Sequence, residues 1–188
     1  MLKTQSRGFL SRYSIIFFLS SLFVILVAGC SSKKEAPSDW SYGKKSVTIT
    51  YQADKDLNQV DGRQHTLLLV TYQLNDVNSF NRFAGYKEGV EKLLSAEAFD
   101  ATVMSVDKTF VEPGASGTLE YDRAENAKYV GMVAGYYNLS PQKSVLLREI
   151  TYGSKRTGML KLSKTTVINP LTINVVLAKD GIREEKKQ

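Results

Sequence analysis

Hydrophobic and polar residues alternate along most of the chain after residue 45, a pattern typical of β-strands with one face in a core. The clearest case begins at Ser46, where Val47, Ile49 and Tyr51 share one face and threonines occupy the other. Residues 66–74 are almost all apolar or β-branched, which predicts a strand buried on both faces. Further alternating stretches predict strands at residues 101–111, 117–122, 128–137, 144–152, 159–167 and 170–177.

The strand predicted at residues 128–137 has small residues on one face. Met132 and Ala134 alternate with Gly131 and Gly135. Glycine in a strand allows a close approach of another segment or a bend. We therefore expect tight packing or a bend there.

Between the second and third predicted strands the hydrophobic period changes to that of a helix. The apolar residues on one helical face are Phe80, Phe83, Val90, Leu93 and Leu94. Gly85 and Gly89 each weaken a helix by about 1 kcal/mol relative to Ala. The pattern predicts a helix over residues 79–96, with a break or a close contact at these glycines.

About eight strands with one helical insertion favour a mainly β fold. The economical arrangement is a two-sheet β-sandwich with the helix packed on its edge, and a closed barrel is the alternative. Asp61-Gly62 and Pro113-Gly114 are turn signals between strands. Gly153 to Gly158 is expected to be a basic loop, and residues 181–188 a charged, frayed tail.

Residues 1–29 have the three parts of a secretory signal peptide. Their cationic residues are Lys3, Arg7 and Arg12. An apolar segment follows at residues 15–27, and the small residues Ala28 and Gly29 precede Cys30. The apolar segment is shorter than the roughly 20 residues of a comfortable membrane span, so a signal anchor is the weaker interpretation. Residues 26–30 match the bacterial lipobox pattern closely.

Cys30 is therefore predicted to carry a covalent lipid after cleavage of the signal peptide. More than one acyl chain is needed for stable anchoring, and bacterial lipoproteins carry three. Ser31, rather than Asp, follows the cysteine and favours the outer membrane, with the protein facing the periplasm. The predicted organisation is a signal peptide at residues 1–29, an acylated cysteine and flexible tether at 30–45, and a β-sandwich domain at 46–180.

The charge and cysteine content of the chain after removal of the signal peptide bear on its partners and on its stability. Removal of the signal peptide leaves 22 Lys and Arg against 19 Asp and Glu, a formal net charge of only +3. This balance does not argue for a nucleic-acid partner. Because Cys30 is the only cysteine, the domain has no internal disulfide and its core must hold the fold.

The chain offers little for catalysis or metal binding. A catalytic triad or a zinc site would have to use His65, the only histidine, which lies in a polar stretch and reads as a surface residue. Residues 54–58 resemble the start of a calcium loop, but Gln59 and His65 stand where an EF-hand needs Gly and Glu. The sequence therefore predicts no enzyme, no metal and no cofactor other than the lipid.

The long connection at residues 53–65 is the best candidate for binding. It exceeds the usual length of a hairpin loop, and long loops on rigid sandwiches commonly carry recognition. Leu57 and Val60 are apolar residues among its charges, suited to a contact with a polar rim. A solvated surface loop is the alternative.

Several stretches, in this order and behind a lipobox, resemble the outer-membrane lipoprotein of type VI secretion systems, the TssJ (SciN/VasD) family. The second strand ends in Tyr72-Gln73-Leu74, and residues 80–83 open a helical insertion. Residues 111–114 are similar to a turn of the family, and residues 127–139 to its central strand. The glycines of the insertion and the surroundings of Arg148 match less well.

The resemblance implies a transthyretin-like β-sandwich with an added helix, tethered to the inner face of the outer membrane. It implies binding to the periplasmic C-terminal region of TssM, and association with TssL through the complex. The loop between the first two strands contacts TssM in this family. By position, that role falls on Leu57, Asn58, Gln59, Val60, Asp61 and Arg63. The alternative is a periplasmic lipoprotein that binds a small ligand or a cell-wall enzyme.

Overall fold

The computed structural model describes residues 36–157 and 163–185, so the signal peptide, Cys30 and the first five residues after it lie outside the described residues. Ten strands and three short helices occur in these ranges. The strands are β1 (Gly43–Ala53), β2 (Leu67–Leu74), β3 (Val103–Val111), β4 (Ser116–Arg123), β5 (Tyr129–Ala134), β6 (Val145–Glu149), β7 (Tyr152–Thr157), β8 (Ser163–Ile168), β9 (Leu171–Leu177) and β10 (Ile182–Glu184). The helices are α1 (Asn78–Ala84), α2 (Lys87–Leu94) and α3 (Pro141–Ser144).

Two four-stranded sheets form a sandwich, which confirms the predicted two-sheet fold, but the helices cover a face of one sheet and not the edge. Sheet A has the order β10-β9-β1-β4, and sheet B has the order β3-β2-β5-β6. β1 pairs in parallel with β9, and the other neighbours within the two sheets run antiparallel. β7 and β8 form a separate two-stranded hairpin.

The core between the sheets follows the predicted alternation. Val47 and Ile49 of β1 and Leu67 and Leu69 of β2 are fully buried there. Sheet B also buries its outer face, because α1 and α2 cover it with a second apolar cluster around Phe80. β2 is consequently buried on both sides, as its nearly continuous apolar sequence predicts.

The helical insertion is interrupted where the glycines predict a break. α1 ends at Ala84 and α2 begins at Lys87. A Cβ at Gly89 would overlap the backbone of Phe83, so the two helices meet at a position that accepts only glycine. Gly131 of β5 likewise lies under the Phe80 ring, where a Cβ would come within 2.6 Å of Cζ.

Several boundaries differ from those predicted, including the start of β3 at Val103 and the end of β5 at Ala134. β1 begins at Gly43, and Trp40 before it is already buried in the core, so the ordered domain starts earlier than residue 46. The single strand predicted at residues 144–152 is divided into β6 and β7 by the buried Ile150.

The stretch after Tyr152 is strand rather than the predicted basic loop, because β8 supplies a pairing partner. β8 itself begins at Ser163, and residues 158–162 at the start of its predicted strand lie outside the described residues. Ile182 is buried and pairs with β9, so the predicted frayed tail begins with a short strand. No helix among the described residues is long and apolar enough to cross a membrane.

Candidate functional site

The candidate binding loop joins β1 to β2 at one end of the sandwich, and it is folded rather than extended. The backbone N–H of Leu57 donates to the Asp54 carbonyl at 3.1 Å, and that of His65 donates to the Leu57 carbonyl at 3.3 Å. The two ends of the loop are therefore drawn together, and its middle protrudes as a tip.

Leu57 belongs to the core and not to the surface. Its side chain is fully buried among the residues between the two sheets. Leu57 is therefore buried in this conformation, whereas the sequence predicts an apolar contact with a partner. Burial of a leucine side chain contributes about 2 kcal/mol, so Leu57 fastens the loop to the end of the sandwich.

Asn58 is also buried, and it fixes the loop by two hydrogen bonds. Its Nδ2 donates to the Thr66 carbonyl at 3.2 Å, and its Oδ1 accepts from the Tyr137 backbone N–H at 2.8 Å. The backbone of Asn58 has a φ of 50°, which Asn tolerates better than most residues. Asn58 therefore holds the β1–β2 loop against the segment that follows β5 and does not face a partner.

The tip of the loop is a tight two-residue hairpin. Val60 and Arg63 exchange backbone hydrogen bonds of 2.9 Å in both directions. Between them, Asp61 and Gly62 have φ values of 49° and 76°, as a type I′ turn requires. The Asp61-Gly62 turn signal is thereby confirmed, and both Asp61 and Arg63 are exposed to solvent.

An aromatic pair supports the tip from below. The rings of His65 and Tyr137 lie 4.7 Å apart between centroids, and Tyr137 is 63% exposed. An open depression of about 480 Å³ lies beside the pair. Its lining residues are Val60, Asp61, Arg63, His65 and Tyr137. The exposed site therefore combines a basic and an acidic side chain with an aromatic surface.

Tyr137 was missed by the sequence reasoning, although a signal existed. The alternation in the strand predicted at residues 128–137 places Tyr136 inward, and the structure buries Tyr136. The same alternation turns the next residue outward. Tyr137 lies far from the loop in sequence, and its contacts with Asn58 and His65 bring the two together.

Neighbouring turns brace this end of the sandwich. Thr66 Oγ1 donates to the Glu112 carboxylate at 2.9 Å, and the Gly114 N–H donates to the Asp54 carbonyl at 3.0 Å. Nearby, Lys143 Nζ lies 2.5 Å from the Asp180 carboxylate and holds the pKa of that carboxyl below its ordinary value.

Of the six predicted site residues, Asp61 and Arg63 are exposed, and Gln59 and Val60 are half-buried beside them.

The opposite end of the sandwich receives the chain from the side of Cys30. Trp40 is 8% exposed and packs edge-on against Tyr152, with ring centroids 6.0 Å apart. The Arg123 guanidinium donates to the Ser41 carbonyl at 2.7 Å. The 11 residues of β1 then run from this end to the loop, about 35 Å away at the rise of an extended strand.

A family model described as "Type VI secretion lipoprotein, VasD, EvfM, TssJ" matches residues 45–166, which is most of the domain. The chain belongs to the type VI secretion lipoprotein family. This family is a component of the secretion apparatus and not an enzyme family. The predicted resemblance to TssJ is therefore confirmed.

Solved structures of such lipoproteins share the fold of this type VI secretion lipoprotein. Serratia marcescens Lip, a membrane-bound component of the type VI secretion system, is 20% identical with a TM-score of 0.56, covering 76% of this chain and 98% of its own. Pseudomonas aeruginosa TssJ1 is 19% identical with a TM-score of 0.55, covering 77% and 99%. A chain from the structure described as "T6SS protein TssM C-terminal domain (869-1107) from EAEC" is 13% identical with a TM-score of 0.55, covering 75% and 98%. Comparison with curated protein sequences gives no match.

Proposed function

We propose that this lipoprotein is anchored by acyl chains on Cys30 in the outer membrane, and that it binds the periplasmic C-terminal region of TssM. Through TssM and TssL it would connect the outer membrane to the inner membrane. Family membership supports the secretion role. One of the structures of the same fold carries the TssM C-terminal domain in its description, which supports TssM as the partner.

The observation that carries the proposal is the position of the loop. The chain enters β1 at Gly43 on the side of Cys30 and leaves it at Ala53, so the loop lies at the far end of the domain. A partner that comes from the inner membrane meets this end first. The loop is also held rigidly by Leu57 and Asn58, and a preorganised loop binds at a lower entropy cost.

The partner-binding residues at this end are the exposed ones. Arg63 and Tyr137 belong to the residue types that dominate binding energy at interfaces, and both lie beside the same depression. This pair is surrounded by Asp61, Val60 and Gln59. We assign Leu57 and Asn58 to the support of the loop and not to direct contact.

Calorimetry with a TssM periplasmic fragment tests the partner and the site together. Arg63→Glu and Tyr137→Ala should each weaken binding about tenfold or more, since truncated anchor residues at interfaces commonly cost over 1 kcal/mol. Lys44→Glu and Tyr42→Ala are matched controls, because both residues are exposed at the opposite end of the domain. Equal losses at the two ends, or no binding by the unmodified chain, would refute the assignment.

The anchor has its own test. Cys30→Ser removes the acylation site, so the protein should leave the outer-membrane fraction. Full retention of the variant in that fraction would refute the lipid anchor. The ligand-binding alternative is not favoured, because the space between the sheets is filled by packed side chains such as Ile49, Leu69 and Met132.

A further inference from the structure

The β7–β8 hairpin projects from the sandwich at the end where the chain arrives from Cys30. At its base, Tyr152 and Ile168 are partly buried against the core. Beyond the base, both strands are exposed, with the exposed residues Ser154, Lys155, Arg156, Thr165, Thr166 and Val167. A two-stranded hairpin without a covering layer is only marginally stable in water. A further surface against this hairpin would therefore stabilise it.

The hairpin carries cations on both of its faces. Lys155 shares one face with the exposed Val167, because the partners in register are Thr165 for Lys155 and Gly153 for Val167. Arg156, the next residue along β7, lies on the other face. An anionic surface would attract the cation of either face.

Neither cation is neutralised within the described part of the chain. Lys155 and Arg156 take part in none of the ion pairs among the described residues, whereas Lys45 and Arg148 each pair with a glutamate. Their charges therefore remain available to a partner outside the domain.

The segment that comes from Cys30 runs along the same hairpin. Residues 36–39 and Ser41 line an open depression together with Thr165 and Thr166 of β8. Ala36 lies only six positions after Cys30 in the sequence. A fully extended chain of that length covers at most about 22 Å. A lipid anchor at Cys30 would thus keep the hairpin close to the bilayer.

We propose that the β7–β8 hairpin docks on anionic phospholipid headgroups through Lys155 and Arg156, as a second membrane contact beside the acyl chains. This inference rests on the proposed acylation of Cys30. The anchor supplies a high local concentration of lipid, so two cations suffice where a soluble protein would need more. The attraction acts within a Debye length, about 8–10 Å at physiological salt. Docking holds the binding loop at the opposite end, pointing away from the membrane.

Hydrogen–deuterium exchange on the acylated chain in vesicles tests the docking. One set of vesicles contains phosphatidylethanolamine with phosphatidylglycerol, and the other has phosphatidylcholine in place of phosphatidylglycerol. Exchange of the amides in β7 and β8 should be up to roughly 25-fold slower in the anionic vesicles, since each of the two cations near an anionic surface strengthens association about fivefold. High salt should remove the difference.

Lys155→Glu with Arg156→Glu should abolish the slow exchange. Lys87→Glu with Lys108→Glu makes the same change of charge at other exposed positions and should leave it intact. Equal exchange in both kinds of vesicle would overturn the proposal. Slow exchange that polyglutamate produces in detergent, but that anionic vesicles do not produce, would also overturn it and would indicate an acidic protein as the partner. A chain that leaves both kinds of vesicle would instead overturn the anchor at Cys30, and this proposal with it.

Discussion

The side-chain oxygen of Asn58 accepts a 2.8 Å hydrogen bond from the backbone N–H of Tyr137, a residue 79 positions further along the chain. The bond joins the β1–β2 loop to the segment after β5. It also brings the exposed Tyr137 ring beside His65 and the loop tip. The shape of the candidate site therefore depends on one buried amide.

Replacement of Asn58 should destabilise the domain. Asn58→Ala leaves the Tyr137 N–H and the Thr66 carbonyl without their partner and also strains a left-handed backbone, at a total cost of about 2–4 kcal/mol. Asn58→Gly loses the same hydrogen bonds but tolerates the backbone, so it should cost about 1 kcal/mol less. Urea denaturation measures both. Equal stability of Asn58→Ala and the unmodified protein would contradict the role of the amide.

The two glycines of the helical insertion should differ in their response to alanine. Gly89→Ala should destabilise the domain by about 2 kcal/mol or more, because the new Cβ overlaps the Phe83 backbone. Gly85→Ala adds a Cβ at an ordinary 3.5 Å from its nearest neighbours, and should be neutral or slightly stabilising. Thermal unfolding of the two variants gives the comparison. A similar loss in both would show that helix propensity, and not the contact, determines the effect.

The buried amide of Gln73 should be needed to join the two sheets near the end of β4. Its Nε2 donates to the Asp122 carbonyl at 2.8 Å, and its Oε1 accepts from the Ala124 N–H at 2.9 Å. Gln73→Leu breaks both bonds and should cost about 2–4 kcal/mol in urea denaturation. Gln52→Leu, at an exposed position of β1, is the control and should change stability by about 0.5 kcal/mol or less.

Stability should fall at alkaline pH through buried tyrosines. Burial raises the pKa of Tyr72 to about 12, while its hydroxyl donates to the Leu93 carbonyl at 2.6 Å. Burial also raises the pKa of Tyr136. A raised pKa favours the neutral phenol in the folded state, so this stability is complete below pH 10 and is lost as the pH rises towards 12.

Urea unfolding across that range measures the effect. Tyr72→Phe should flatten the decline, and Tyr72→Phe combined with Tyr136→Phe should flatten it further. Tyr86→Phe is the control, since Tyr86 is exposed and its ring is not part of the core. An undiminished decline in the double variant would assign the pH dependence to other groups.

Local pattern was enough to predict the strands whose side chains alternate or are uniformly apolar. β2, β9 and the turn at Asp61-Gly62 follow directly from residue type, because their burial and dihedral preferences are local properties. The break between α1 and α2 was predicted for the same reason, from Gly85 and Gly89.

Long-range contacts determine the elements that the local sequence pattern does not predict. The sequence of β7 alone predicts a basic loop, and only its pairing with β8 makes it a strand. Ile182 is likewise predicted in a charged tail, and only its pairing with β9 places it in a strand. The candidate site shows the same limit. Position in the loop does not reveal that Leu57 turns into the core, or that Tyr137 joins the tip from another part of the chain.

The central place of β1 in sheet A determines how the domain would resist tension. Residues from Val47 to Gln52 are paired on one side with β4 and on the other with β9. A chain held at Cys30 and at the loop would be pulled along the axis of this strand, and its antiparallel hydrogen bonds to β4 lie across that axis. The hydrogen bonds between β1 and β4 would then be loaded in shear at the same time, instead of breaking one after another. A domain of this geometry yields at a high force, which would suit the proposed link between two membranes.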